Sequence, residues 1–160
     1  MAVFALAIVA ITGIFISVTK TQRKSRIEQR VQAEARYALD MISQEIRDGY
    51  IDYTQPLSTS VLHLERPGGQ KVSFSIAANV LQMTIEGGVP IAISSSNVKI
   101  ADLRFYVTPA TDPFVVGGPD EQPRVTISLT IEDKDAAKAE EQAEIEAQTT
   151  ISSRQYKESY

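Results

Sequence analysis

The side chains able to do chemistry are few and scattered. One histidine, His63, stands in the alternating run Val61-Leu62-His63-Leu64. A metal site or a general base needs partners, such as further histidines, cysteines or carboxylates at a recognisable spacing. The chain has no cysteine and no second histidine. Neither a thiolate site nor a disulfide framework is available, and His63 reads as a strand residue. Ser94-Ser95-Ser96 offers hydroxyls without the G-x-S-x-G elbow that exposes a nucleophile, so it reads as a turn or strand edge. The pairs Gly68-Gly69, Gly87-Gly88 and Gly117-Gly118 lack the lysine and the strand-to-helix setting of a phosphate loop, and read as turns. Asp135, Glu140, Glu141, Glu144 and Glu146 could draw calcium, but the D-x-[DN]-x-[DN]-G order is missing and a solvated connection is expected. No cofactor, no metal ligand and no catalytic residue is assigned, and an enzyme is not expected.

Charge narrows the partners. Sixteen Lys and Arg against twenty Asp and Glu leave a net −4, without the broad basic footprint of a nucleic-acid binder. Nucleic acid is not expected as a partner. Basic residues nevertheless gather between Lys20 and Arg30. They read as the interfacial collar of a membrane helix, in preference to a contact with anionic lipid or DNA.

The collar follows an apolar run. Met1 to Val18 carries no charge, and only Thr12 and Ser17 are polar. Eighteen residues of helix cover about 27 Å, just short of a bilayer core of about 30 Å. A signal peptide would place its basic residues first and end at a small-residue cleavage site. Here they come after. A retained anchor over residues 1–19 is expected, in preference to a cleaved signal or a buried core helix.

The helical pattern continues past the anchor. No proline interrupts Thr21 to Asp48, and Gly49 is a candidate cap. Ile27, Val31, Ala35, Ala38, Ile42 and Ile46 recur at spacings of three and four, one stripe of an amphipathic stalk over residues 20–48. Leu39 and Met41 widen it. The stripe is open to two readings: core against the chain's own sheet, or, over Ile27 to Ala35, packing against another helix.

After Tyr53 the period changes to two. Val61–Arg66, Lys71–Ile76, Val80–Glu86, Val98–Val107 and Arg124–Glu132 alternate as strands, with a continuation at Ile91–Ser94 and a last strand around Thr149–Ser152. The Asp102-Leu103 step breaks the alternation of its strand and suggests a bulge. The stretch 108–123 reads as a mobile loop, and 133–146 as a mobile loop or a short exposed helix. The fold class is therefore α+β: a long N-terminal helix, transmembrane and then amphipathic, packed on an antiparallel β-meander head over residues 54–160. The helix-to-sheet core is expected from Leu39, Ile42, Ile46, Phe74, Phe105, Ile127 and Leu129.

The run Gln32-Ala33-Glu34-Ala35-Arg36-Tyr37-Ala38-Leu39-Asp40-Met41-Ile42-Ser43-Gln44-Glu45-Ile46-Arg47-Asp48 resembles the stalk of minor pilins and pseudopilins of type IV pili and type II secretion systems. Ser94–Phe105, Arg124–Ile131 and Gln148–Arg154 resemble strands of their heads. The resemblance implies a structural filament subunit of a pilus, secretion or DNA-uptake system, held in the inner membrane before assembly with its head outside the cytoplasm. Its partners would be other pilin subunits, the lipid bilayer and the inner-membrane assembly machinery. Val3, Leu6, Ile8, Ile14, Ile27, Val31 and Ala35 are then the expected contacts between stacked helices. Such proteins carry a basic leader, a glycine-phenylalanine junction and an early acidic residue. None of these precedes Glu28 here, so Met1 is expected to lie inside a longer segment. The alternative is a single-pass membrane protein whose β head binds a ligand or partner without polymerising.

Overall fold

The computed structural model describes residues 2–119, 121–134 and 142–153, and of the side chains before Ile11 only that of Phe4. One helix, α1, runs from Ala2 to Asp48. Its 47 residues make a rod about 70 Å long. It contains no proline and a single glycine, Gly13, so nothing in its interior removes a hydrogen bond or invites a break. The hydroxyls of Thr19 and Thr21 donate to the carbonyls of Phe15 and Ser17, four residues back, at 2.8 and 3.1 Å. Both are thereby satisfied without leaving the helix.

The helix stops at Gly49, whose N–H donates to the Glu45 carbonyl at 2.9 Å. A Cβ there would lie 2.9 Å from Glu45 O and 3.0 Å from Glu65 O. Only glycine lets the chain pass this closely from the helix into the first strand.

That strand, β1 (Tyr50–Ile51), opens a sheet that continues through β2 (Val61–Glu65), β3 (Lys71–Ala77), β4 (Val80–Ile85) and β5 (Ile91–Ala92), each antiparallel to the one before. A second antiparallel sheet holds β6 (Val98–Thr108), β7 (Arg124–Asp133) and β8 (Glu144–Ser152). The α+β class and the long N-terminal helix agree with the sequence pattern. The single meander does not: there are two sheets. The chain leaves the first where Ser94 Oγ accepts the Leu81 N–H at 3.1 Å, and the short Ser95–Asn97 link then begins β6. Two backbone bonds hold the sheets together, from Ile100 N–H to Asn79 O at 2.8 Å and from Phe105 N–H to Thr59 O at 2.9 Å.

The strands read from alternation lie within one residue of β2, β3, β4, β6 and β7. The bulge falls between Ile100 and Asp102, leaving Ala101 without a partner, just before the step at which the sequence alternation breaks. The expected loop 133–146 is shorter than its pattern suggested. Asp133 ends β7, and β8 already begins at Glu144. Residues 135–141 lie outside the described residues.

Below Ile27 the helix is bare, with every described side chain from Ile11 to Arg26 exposed. Above it, Val31, Ala35, Ala38, Ile42 and Ile46 are buried, mainly against β7 and β8. Val125, Ile127, Leu129 and Ile131 supply the facing row of β7, each fully buried. Leu62, Leu64, Val72, Phe74 and Leu81 extend the same apolar cluster into the first sheet.

Among the described residues, no helix is long and apolar enough to cross a membrane. This overturns the expected single-pass placement in the inner membrane, and with it the transmembrane character expected of residues 1–19. The reason lies in where charge begins. The uncharged run ends at Val18, and Lys20, Arg23, Lys24, Arg26 and Glu28 follow. The eighteen residues before that point cover about 27 Å of helix, short of a bilayer core of about 30 Å.

Candidate interaction surface

Among the described residues, a row of exposed apolar side chains stands on the bare part of α1. Ile11, Ile14, Phe15 and Val18 are 66, 65, 71 and 48% exposed. Their spacing is i, i+3, i+4, i+7, which sets them on one side of the helix. Phe4 lies seven residues before Ile11 and continues the row, also exposed. Ile16 is exposed on another side. Lone surface apolar residues need no explanation, but a contiguous stripe of this size marks a contact with something else.

The residues expected to join stacked helices divide into three groups. Val3, Leu6 and Ile8 have side chains outside the described residues. Ile14 is on the exposed stripe. Ile27, Val31 and Ala35 are not free to meet a neighbour. Ile27 is partly buried and packed against the core, and Val31 and Ala35 are buried in it. The head starts lower on the helix than its sequence suggests, because β7 and β8 reach down to the level of Arg30 and cover that turn. The residues expected in the helix-to-sheet core come together. Ile42, Ile46, Phe74, Phe105, Ile127 and Leu129 are buried, and Leu39 is partly buried against them.

An ion pair guards the place where the helix enters the head. Arg30 Nη2 donates to Asp133 Oδ1, with the aspartate side chain fully buried and the arginine 38% exposed. Asp133 N–H also donates to Ala143 O at 3.0 Å, which fixes the start of β8 beside it. A second pair ties the upper helix to the first sheet. Arg66 Nε and Nη2 grip both oxygens of Glu45 at 2.9 and 2.6 Å, a bidentate fork.

A recess of about 280 Å³, lined mostly by residues of polar type, lies on the outer face of the first sheet. Asp52 N–H donates to His63 O at 3.0 Å, extending the β1–β2 ladder by one residue. Asp52, His63, Ser73 and Thr84 therefore make one row across four chain segments. The types suggest a relay, but the geometry does not form one. Asp52 is engaged elsewhere: Oδ1 accepts from the Thr54 N–H and hydroxyl, and Oδ2 sits 3.0 Å from Lys71 Nζ. Among the described residues no hydrogen bond joins the His63 ring to Asp52 or Ser73.

Burial pushes the Asp52 carboxyl upward, and the hydrogen bonds from Thr54 and Lys71 outweigh it, so its pKa falls below the ordinary 3.8. A depressed folded-state value stabilises the protein above the unfolded value, and that contribution fades as pH falls through the folded value. Asp52→Asn should thus cost roughly 1–2 kcal/mol near pH 7. The gap from wild type should narrow as pH drops below 3.8, measured by urea unfolding across a pH series. A constant gap would show that charge on Asp52 is not what stabilises this corner.

Tyr53, next in the chain, is pushed up to about 12 by burial and by the nearby Asp112 charge, and its hydroxyl donates to Pro109 O at 3.1 Å. It pins the loop after β6 to the segment after β1. Among the described residues, no group of three or more His, Asp or Glu is placed to hold a metal ion. The sequence pattern missed Asp52 and its row because a strand of two residues, β1, is too short to alternate. The one available hint was the polar-turn pair Asp52 and Thr54 beside Tyr53.

No family model, no curated protein and no solved structure matches the chain.

Proposed function

We propose that the chain is a structural subunit of the minor-pilin or pseudopilin kind, joined to copies of itself or to related subunits through the lower half of α1, and that it is not an enzyme. The observation that carries this reading is the exposed stripe Ile11, Ile14, Phe15 and Val18 on a helix that extends well below its head. Leaving such side chains in water forgoes roughly 1.5–3 kcal/mol apiece. Parallel packing of the same stripe from neighbouring copies would recover it, in the manner of helices that meet through i, i+3, i+4 contacts. The likeness of the Gln32–Asp48 run to pilin stalks supports the same reading.

The absence of cysteine makes a clean test available. Ile14→Cys in the otherwise unchanged full chain should give linked copies when the producing cells are treated with a bis-maleimide reagent able to bridge about 10 Å, since neighbours staggered along their helices would hold these thiols too far apart for a disulfide. A cysteine at the exposed head residue Thr59 should not. Adding Phe15→Asp should abolish the Ile14→Cys cross-link while leaving the far-UV circular dichroism and urea midpoint of the purified protein unchanged. If Ile14→Cys yields no cross-linked species at native expression, the subunit reading is wrong.

A further inference from the structure

The charge on this chain is unevenly placed along its length. Residues 1–26 carry four basic groups, Lys20, Arg23, Lys24 and Arg26, and no acid. The whole chain is −4, so residues 27–160 carry −8. Lys20, Lys24 and Arg26 form no ion pair among the described residues, and neither do Glu144 and Glu146 at the start of β8. All five are exposed. β8 is the last strand of its sheet and pairs only with β7 among the described strands, so these two carboxylates lie on a free edge. Ile145 and Ala147, between and after them, are half-buried on the opposite face, toward the helix.

We infer that the basic collar of one copy docks on the acidic β8 edge of the next, an inference that rests on the assembly reading above. Charge complementarity selects a second copy as the occupant, since each copy offers both surfaces and Lys20, Lys24, Arg26, Glu144 and Glu146 form no ion pair among the described residues. The heights set the shift that such a contact needs. The Arg30–Asp133 pair and the Asp133–Ala143 bond set the start of β8 level with Arg30. The collar is centred near residue 23, seven residues earlier, which is about 10 Å lower along the helix. A parallel neighbour shifted by about 10 Å toward its own C-terminus brings its collar level with that edge. The same seven-residue shift sets Phe4 and Ile11 of the neighbour beside Ile11 and Val18 of the first copy, so the apolar rows still meet. Because the two surfaces differ, the contact is head-to-tail and repeats without limit unless it closes into a ring.

Charge exchange in the full-length Ile14→Cys chain tests this. Reversing the collar with Lys20→Glu, Lys24→Glu and Arg26→Glu should cut the cross-link yield by roughly tenfold. Reversing the edge with Glu144→Lys and Glu146→Lys should cut it by about fivefold, since fewer charges change sign. A chain carrying all of these changes should recover most of the wild-type yield, because attraction is restored with opposite sign. The wild-type yield should also fall as salt rises from about 0.1 M to about 1 M, over which the screening length shrinks from ~10 to ~3 Å. Both reversals are on exposed residues, and an unchanged urea midpoint confirms the fold.

Undiminished cross-linking in either reversed chain overturns the docking contact but leaves assembly through the stripe intact. Failure of the combined variant to recover overturns it too. If the collar-reversed chain alone then also loses sedimentation with vesicles containing phosphatidylglycerol, the collar's partner is an anionic lipid surface in place of the β8 edge. No cross-link in the parent chain at all would instead bring down the assembly reading itself.

Discussion

Val31→Glu should unfold the head. Val31 is 0% exposed and faces β7 and β8 from the turn where the helix enters the core. The substitution removes a buried apolar side chain and puts a carboxylate in its place with no partner near. The first loss is about 2 kcal/mol, as a Val31→Ala control should show. Burying a carboxyl without compensation adds several more, whether it stays charged or takes up a proton. Together they reach roughly 4 kcal/mol or more, in the exceptional range for one substitution and a large part of the roughly 5–15 kcal/mol typical of a domain. Urea unfolding of the full chain followed by circular dichroism checks it. A folded head with a wild-type midpoint would mean that Val31 faces away from the sheet and is available to a neighbour.

Arg30→Met should cost nearly as much, for a different reason. Among the described residues its guanidinium is the only cation paired with the fully buried Asp133 carboxylate, whose Oδ2 already lacks a hydrogen bond. Removing the cation leaves that charge uncompensated, a change worth roughly 3–5 kcal/mol. Removing both groups removes the problem. The double variant Arg30→Met, Asp133→Leu should therefore recover most of the lost stability, and can match the wild type. The double-mutant cycle measures this coupling directly, since the two side chains touch. If the double variant is as unstable as the sum of the single ones, the pair contributes through packing and not through charge. The asymmetry of burial between the partners also predicts that Asp133→Leu alone is the milder single change, because the arginine side chain left behind is 38% exposed and the aspartate 0%.

Much of the architecture was legible in the sequence because two periodicities are cleanly written. Val125, Ile127, Leu129 and Ile131 alternate with Thr126, Ser128 and Thr130, and a strand follows from that pattern alone. Ile42 and Ile46 likewise declare a helix face. What periodicity does not encode is where along the helix its cover ends. Ile27, Val31 and Ala35 belong to the same stripe as Ile42, and nothing local separates those facing a sheet from those facing another helix. The answer depends on how far β8 extends, and β8 starts inside a charged stretch whose exposed Glu144 and Glu146 hide the inward Ile145 and Ala147. The division into two sheets was hidden for a similar reason. Alternation marks a strand without naming its partner, and β4 to β6 could as easily have continued one meander. The apolar stripe of the candidate surface was only partly visible. Ile14 was singled out, but Ile11, Phe15 and Val18 were absorbed into an apolar run read as uniform, so its one-sidedness did not stand out.

The unbroken course of α1 has a mechanical consequence. The same rod that is bare at its lower end forms part of the core at its upper end, with no hinge between. Any pull on the lower end is delivered along the helix axis straight into the helix–sheet contact. There it acts in shear, parallel to β7 and β8. The buried side chains from Val31 to Ile46 and the Arg30–Asp133 pair must then yield together, not one after another. A head attached in this way resists tension as a dowel resists withdrawal, through its whole seated length at once.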